Sequence, residues 1–180
     1  MNKTSIHNLY TEYRKIKKIL EKSGEISVLT DYTNTMRKVL ILSSASLFEV
    51  QMTDMLKNYV YSVSNQNKQL VSFIEKQALE RKYHTLFDWD SNNVNRFLKL
   101  FGKDFETSIN RKFQEEGKRK KNMIDFIELG HNRNLFAHED FARYEYNSKN
   151  PEEIFKQYKS ARKFIPFIKE QLLNVSTTEN

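Results

Sequence analysis

Two histidines, an arginine and two asparagines are concentrated in residues 130–138, whose sequence is GHNRNLFAH. If this stretch is helical, His131, Asn134 and His138 share one face, because three and four residues separate them. Arg133 comes five residues before His138, which places it roughly 140° away around an ideal helix. The arginine therefore meets His138 only through its long side chain, or where the helix ends.

Arginine and histidine together are a minimal set for cleaving RNA. A histidine side chain can move a proton to or from the 2′-hydroxyl or the leaving 5′-oxygen. An arginine presents a rigid fork of donors to the charge that grows on the phosphorane. An asparagine can fix the histidine tautomer or hold a phosphate oxygen. This chemistry needs no metal ion, and we predict no cofactor.

The same residues also have a purely structural interpretation. Arg133 could pair with an acid such as Glu49, Glu139 or Asp140, and His138 could end a helix, where a positive charge is favourable. A metal site is a third interpretation. However, His131 and His138 are seven residues apart, whereas a helical pair of histidine ligands is normally four apart, and the chain has no cysteine. We therefore predict no metal site.

The composition of the chain predicts one all-α domain. Its 180 residues include four Gly and two Pro, too few for the turns of a β fold. The formal charge of +7 favours polyanions such as nucleic acid, although a solvated basic surface gives the same value. The absence of cysteine suits a reducing cytoplasm, and we see neither an apolar signal core nor a membrane span. We predict a cytoplasmic protein with no membrane partner.

Apolar periodicity places the elements that must position these residues. It predicts helices over about 2–22, 31–62, 68–83, 91–101, 104–114, 122–138 and 151–175, with a connector before the second and a frayed tail at 176–180. We expect one domain over residues 1–175, a bundle with a long antiparallel helix pair and shorter helices. Asn122 is predicted to cap the helix that carries Arg133, and Pro166 to kink the last helix.

Three further residues, Glu49, Gly130 and Trp89, are expected to lie near the core or near the candidate site. Glu49 lies in an apolar part of the long helix, either as an exposed carboxylate or as a group that orients a base or an arginine on a neighbouring helix. Gly130 removes a side chain one turn before Asn134, so that a neighbouring backbone or a second subunit can approach. The lone Trp89 is expected to be a packing residue.

The basic run at residues 118–121 is a candidate contact for RNA phosphates. Lys118, Arg119, Lys120 and Lys121 follow a glycine and place four positive charges together. A run of this kind is also typical of a solvated loop.

The segment RNLFAH, from Arg133 to His138, resembles the R-N-x-x-x-H signature of the HEPN superfamily. Two further stretches resemble the RiboL-PSP group of that superfamily. ASLFEVQMTDML, at 45–56, is similar to its long helix, and FLKLFG, at 97–102, is similar to a segment in the middle of the domain. The resemblance covers most of residues 31–172.

This resemblance implies an all-α bundle that dimerises, with both Arg–His motifs lining one cleft. It implies a metal-independent endoribonuclease of a toxin–antitoxin, phage-defence or RNA-processing system, with an antitoxin or defence protein as a further partner. Arg133 and His138 would be catalytic, supported by Asn134, and Glu49 would position Arg133. His131 is a supporting candidate without a counterpart in the family. Some HEPN domains are inactive binding or assembly modules, which is the alternative function.

Overall fold

The computed structural model describes residues 4–141 and 143–175, and all regular structure in them is helical. The all-α prediction is therefore confirmed, while the tail at 176–180, which we expected to be frayed, lies outside the described residues. The helices are α1 (Ser5–Ser23), α2 (Ile26–Val63), α3 (Lys68–Ile74), α4 (Tyr83–Leu86), α5 (Asn95–Leu98), α6 (Lys103–Glu115), α7 (Gly117–His138), α8 (Pro151–Ala161) and α9 (Phe164–Val175).

A tight turn joins α1 to α2. Gly24 adopts a left-handed conformation with φ of 74°, which ends α1 at low cost because glycine has no Cβ, and α2 begins two residues later. Our prediction of a connector up to Thr30 was wrong. The first turn of α2 carries Ile26 and Val28 on its exposed surface, so this segment lacks the one-sided apolar pattern from which we recognise a helix.

Helix α7 lies at the centre of the core through Phe126, which is 1% exposed. The Phe126 ring contacts Phe48 of α2 at 5.5 Å between centroids, Phe87 at 5.3 Å and Phe164 of α9 at 4.7 Å. Aromatic pairs at these distances add to the free energy gained by burying the rings. Helices α2 and α7 run antiparallel, because Phe48 contacts the middle of α7 while Lys38, earlier in α2, contacts residues that follow α7.

Local features of the backbone mark where the shorter helices begin and end. Asn67 caps α3 by accepting a hydrogen bond from the Leu70 amide at 2.9 Å, and a π-helical turn at Glu75–Leu79 continues α3. Our single helix over 68–83 was too long, because Arg81 has a φ of 57° and separates this π-helical turn from α4. A 3-10 turn at Lys99–Phe101 follows α5, and Gly102 ends it with a φ of 96°.

A capping box starts α8 at Pro151, the residue at which we predicted that the last helix begins. Asn150 and Glu153 each accept a hydrogen bond from the other's backbone amide. Pro166 does not kink a single last helix, as we had expected. Instead the chain breaks at residues 162–163, and Pro166 is the third residue of α9, where its missing N–H would have had no partner within the helix.

One helix in the described part of the chain, α2, is long and apolar enough to cross a membrane by length and composition. Our statement that no run reaches this length was therefore wrong. A helix in the core of a bundle meets the same criterion, and Leu40, Ile41, Phe48 and Met52 of α2 are buried inside this protein. The burial of these side chains accounts for the composition of α2.

Gly130 of α7 lies directly against the indole of Trp89. A Cβ added to Gly130 would be 1.9 Å from Cζ3 of Trp89, and the indole N–H donates a 2.9 Å hydrogen bond to the His84 carbonyl. The small residue therefore admits a side chain of the same molecule, rather than the backbone or second subunit that we had expected. As predicted, Trp89 is a packing residue, with 9% of its surface exposed.

We expect Gly130→Ala to lower the free energy of unfolding by up to about 2 kcal/mol, because the new methyl group displaces the Trp89 ring at a cost of about 1–3 kcal/mol. This cost exceeds the gain of about 1 kcal/mol that alanine brings to a helix interior. Urea denaturation followed by circular dichroism measures the change. Gly117→Ala is the matched control, since a Cβ there has no atom within 4 Å. Equal stability of the two variants would contradict the packing described for Trp89.

Candidate functional site

Arg133 is held by two side chains of different helices. Its guanidinium donates to Oδ1 of Asn134 at 3.2 Å and reaches Oε2 of Glu49, on α2, at 3.5 Å. The Arg133 and Glu49 side chains are 37% and 39% exposed, so both remain open to solvent and to a ligand. The structure thus places Arg133, Asn134 and Glu49 together.

Tyr83 of α4 lies behind the Arg133–Glu49 pair and is 8% exposed. Burial raises the pKa of Tyr83 well above its usual range, and the negative charge of Glu49 raises it further, while Arg133 opposes both effects. The phenol therefore keeps its proton at neutral pH and cannot act as a base. No sequence pattern singled out Tyr83, because it is one of nine tyrosines and α4 is a single turn.

His138 is the last residue of α7, and its side chain is exposed. The Glu139 amide donates to the Leu135 carbonyl at 3.0 Å, so the helix stays regular up to His138. Arg133 and His138 consequently keep the angular separation of a regular helix, and they project in different directions from α7. Within residues 4–141 and 143–175, the His138 imidazole has no hydrogen-bond or ion-pair partner, which leaves both ring nitrogens available.

His131 lies on the side of α7 that faces Asp90. Its Nδ1 is 3.1 Å from Oδ1 of Asp90, and Asp90 follows the Trp89 that packs on Gly130. A carboxylate beside one ring nitrogen can select the tautomer of a histidine. Sequence reasoning placed His131 near the site but did not identify Asp90, because the contact joins residues that are 41 apart in the chain.

The basic run at 118–121 forms the first turns of α7, rather than the loop we had considered. Glu116 is the N-cap, so Asn122 lies within the helix and accepts a 2.9 Å hydrogen bond from Ser160 of α8. Arg119 is paired with Glu116 at 2.7 Å, and Lys121 donates to Asp125 at 2.9 and 3.0 Å. These pairs offset the cost of placing cations at a helix N-terminus.

Two of the four cations are thus engaged within the protein. Arg119 also lies over the Phe167 ring, at 4.7 Å, which further limits its reach. Lys118 and Lys120 are exposed and have no acidic partner in the described residues. Their contact with RNA phosphates remains a prediction, now limited mainly to these two side chains.

Lys38 fixes the segment that follows His138. Its ammonium group donates to the carbonyls of Phe141 at 2.5 Å and Tyr144 at 3.2 Å and lies 4.6 Å from the centre of the Phe141 ring. Lys38 is 8% exposed, and a buried cation is costly unless its donors are satisfied. Sequence reasoning missed Lys38, although its spacing places it on the buried stripe of α2 with Ile41 and Ala45.

The arrangement offers a donor fork, an amide and a free imidazole at one end of α7. No group of three or more His, Cys, Asp or Glu side chains able to hold a metal ion occurs in the described parts of the chain. The chemistry that these side chains can perform themselves is proton transfer by His138 and stabilisation of negative charge by Arg133.

A family model described as RiboL-PSP-HEPN matches residues 7–174. The chain belongs to this HEPN family. The family assignment that we drew from the R-N-x-x-x-H segment and two further stretches is thereby confirmed. No curated protein and no solved structure matches the chain closely enough to add to this assignment. HEPN domains have RNA-related functions and are often ribonucleases.

We expect Glu49→Gln in this HEPN protein to lower the free energy of unfolding by less than about 1 kcal/mol, because an ion pair between two partly exposed side chains contributes little. Urea denaturation measures the difference, with Glu80→Gln as the control at an exposed glutamate. A small loss would mean that the contribution of Glu49 is to orient Arg133. A loss above about 2 kcal/mol would show that Glu49 is needed to stabilise the fold.

We expect Lys38→Met to loosen the segment after His138. The Arg143 and Tyr144 amides donate to the Asp140 carbonyl at 3.0 and 2.8 Å, so their hydrogen exchange reports the closed state of this segment. Their exchange should become at least about tenfold faster, since a hydrogen bond to a charged group contributes about 1.5–3 kcal/mol. Lys76→Met, at an exposed lysine, is the control. Unchanged exchange would show that Lys38 does not hold this segment.

Proposed function

We propose that the protein is a metal-independent endoribonuclease that cleaves single-stranded or loop RNA by attack of a 2′-hydroxyl. Membership of the HEPN family supports an RNA-related function. The observation that carries the further step is that one helix bears both a guanidinium held in place and an imidazole without a partner in the described residues. Arg133 is oriented by Glu49 and Asn134, and α7 ends five residues later on an exposed His138.

The proposed reaction forms one bond and breaks one at the same phosphorus. The 2′-oxygen attacks the adjacent phosphorus, and the bond from phosphorus to the 5′-oxygen of the next nucleotide breaks. The 2′-hydroxyl loses its proton to a base, and the departing 5′-oxygen gains a proton from an acid. The products are a 2′,3′-cyclic phosphate and a 5′-hydroxyl. Arg133 stabilises the negative charge on the phosphorane oxygens.

The two proton transfers favour a site made by two copies of the chain. One chain offers His138 and, on the same side of α7, a His131 that is already next to Asp90. A symmetric homodimer that brings two α7 ends together would supply one His138 as base and the other as acid. It would also place two Arg133 guanidinium groups around one phosphate.

We place this activity in a toxin–antitoxin or phage-defence system, in which a partner protein restrains the nuclease until it is required. Co-expression with the product of a neighbouring gene would test this setting. Relief of a growth defect that depends on His138 identifies such a partner, whereas a growth defect that persists in His138→Ala would have another origin.

We expect His138→Ala and Arg133→Ala each to reduce RNA cleavage by at least about 100-fold, the usual contribution of an acid–base or charge-stabilising group. Cleavage of a single-stranded RNA in EDTA, with mass spectrometry of the product ends, measures both rate and chemistry. His84→Ala, at an exposed histidine outside this site, is the matched control and should retain full activity.

Three results would contradict this function. They are a requirement for a divalent ion, products with 5′-phosphate ends, and equal activity of wild type and His138→Ala. If the wild type binds RNA but leaves it intact, the alternative of a non-catalytic RNA-binding or interaction module is favoured instead.

A further inference from the structure

A basic and aromatic groove in two adjoining parts lies between α1 and α8, away from Arg133 and His138. One part has a volume of about 420 Å³ and is lined by residues that include Tyr10, Arg14, Lys18 and Phe155. The second part has a volume of about 500 Å³ and is lined mainly by cations of α8 and the residues that follow it. His7 borders both parts, so they form one surface, which we call the α1/α8 groove.

Most of the cations that line the α1/α8 groove form no ion pair within the described residues. In residues 4–141 and 143–175, no carboxylate forms an ion pair with Arg14, Lys18, Lys156, Lys159 or Lys163. Lys15, which also lines the groove, is the exception and pairs with Glu12 at 2.8 Å, while Glu152 pairs with Lys17 at 3.0 Å. This contrasts with the run at 118–121, where two of the four cations are paired. The positive charge of the groove is therefore available to a ligand.

Aromatic rings border the same groove. Tyr10 of α1 stacks on Phe155 of α8, with centroids 4.0 Å apart and planes 10° apart, and His7 meets Phe155 edge to face at 5.1 Å. Tyr10 and Phe155 are only partly buried and line the groove. Stacking covers one face of each ring, and the Lys159 ammonium lies 5.2 Å from the centre of the Phe155 ring, so the partly exposed remainder of the pair is the aromatic surface available to a nucleic-acid base.

Aromatic and basic residues follow the same order on both helices. On α1, Tyr10, Arg14 and Lys18 are spaced by four residues, which places them on one face with a rise of about 6 Å between neighbours. Phe155 and Lys159 have the same spacing on α8, and Lys163 follows four residues later in the break before α9. Each wall of the groove therefore presents an aromatic ring followed by two cations.

We propose that the α1/α8 groove binds single-stranded RNA, with bases against Tyr10 and Phe155 and phosphates beside the cations. A row of positive charges next to aromatic rings is the combination by which proteins hold unpaired strands, since every base has a flat face. Neither α1 nor α8 contributes a side chain to the Arg133–His138 site. This inference requires that the protein bind RNA and is independent of whether it cleaves it.

The test uses the full chain with Arg133→Ala and His138→Ala as background, so that cleavage does not affect the measurement. Fluorescence anisotropy measures binding of a labelled single-stranded RNA of about 16 nucleotides, the upper end of common site sizes. The groove variants are Arg14→Gln with Lys18→Gln, and Tyr10→Leu. Lys76→Gln with Lys99→Gln is the control, since both lysines are exposed and lie outside the groove.

We expect the double groove variant to weaken binding at least about tenfold and to reduce the slope of log affinity against log salt by about 1.4, or about 0.7 for each lost phosphate contact. Tyr10→Leu should weaken binding about fivefold or more, from the loss of one stacked base. The control should bind like the background protein, and duplex RNA should bind more weakly than the single strand.

Three outcomes would overturn the inference: no binding of RNA, equal affinity and salt slope for groove and control variants, or equal binding of duplex RNA. Equal affinities would favour an acidic protein, rather than RNA, as the ligand of the groove.

Because a variant can fail to fold, crosslinking of the background protein to RNA that contains 4-thiouridine gives a second readout. Crosslinks to peptides with Tyr10 or Phe155 support the groove, and crosslinks found only elsewhere overturn it. Loss of cleavage with groove binding intact would contradict only the nuclease proposal.

Discussion

Phe126 contacts aromatic rings from three parts of the chain, with Phe48 on α2, Phe87 after α4 and Phe164 on α9. This contact sets the rotation of α7 about its own axis. Arg133 follows Phe126 by seven residues, about two turns, and so points in nearly the same direction, towards α2. His138 follows by twelve residues, about 120° away, and points to solvent. The buried ring thereby decides which polar side chain is held and which is free.

The sequence predicted the elements whose signals are local. The capping box at Asn150 and Glu153, the glycine that ends the 3-10 turn at Gly102 and the apolar stretch at 123–129 of α7 each depend on residues a few positions apart. The family was predicted from the RNLFAH segment and two further stretches, and the family model over residues 7–174 confirms it. The all-α class was predicted from composition as well as from this resemblance. Arg133, Asn134 and His138 could be proposed as a set because one helix carries all three.

Most long-range contacts were beyond the reach of sequence reasoning, and the exception is the Arg133–Glu49 pair, which the family resemblance implied. Trp89 fills the space left by Gly130, and Asp90 meets His131, through contacts that join residues 41 apart. The Lys38 ammonium group donates to backbone carbonyls more than 100 residues later. Since every residue has a backbone carbonyl, the residue types do not indicate which one accepts. The start of α2 was missed for a different reason: its first turn is exposed and apolar, so the pattern that marks a helix is absent there.

Lys38 and Glu49 are eleven residues apart on α2, which is three turns and about 20° of rotation, or a rise of about 16 Å. One face of one helix thus contacts both the guanidinium of Arg133 and the segment beyond His138. The number of residues between Lys38 and Glu49 therefore sets the relative direction of the two side chains. Inserting or deleting a single residue between positions 38 and 49 would turn one contact about 100° away from the other. A change in the number of residues between positions 38 and 49 would therefore disturb these two contacts more than a substitution of an exposed residue between them.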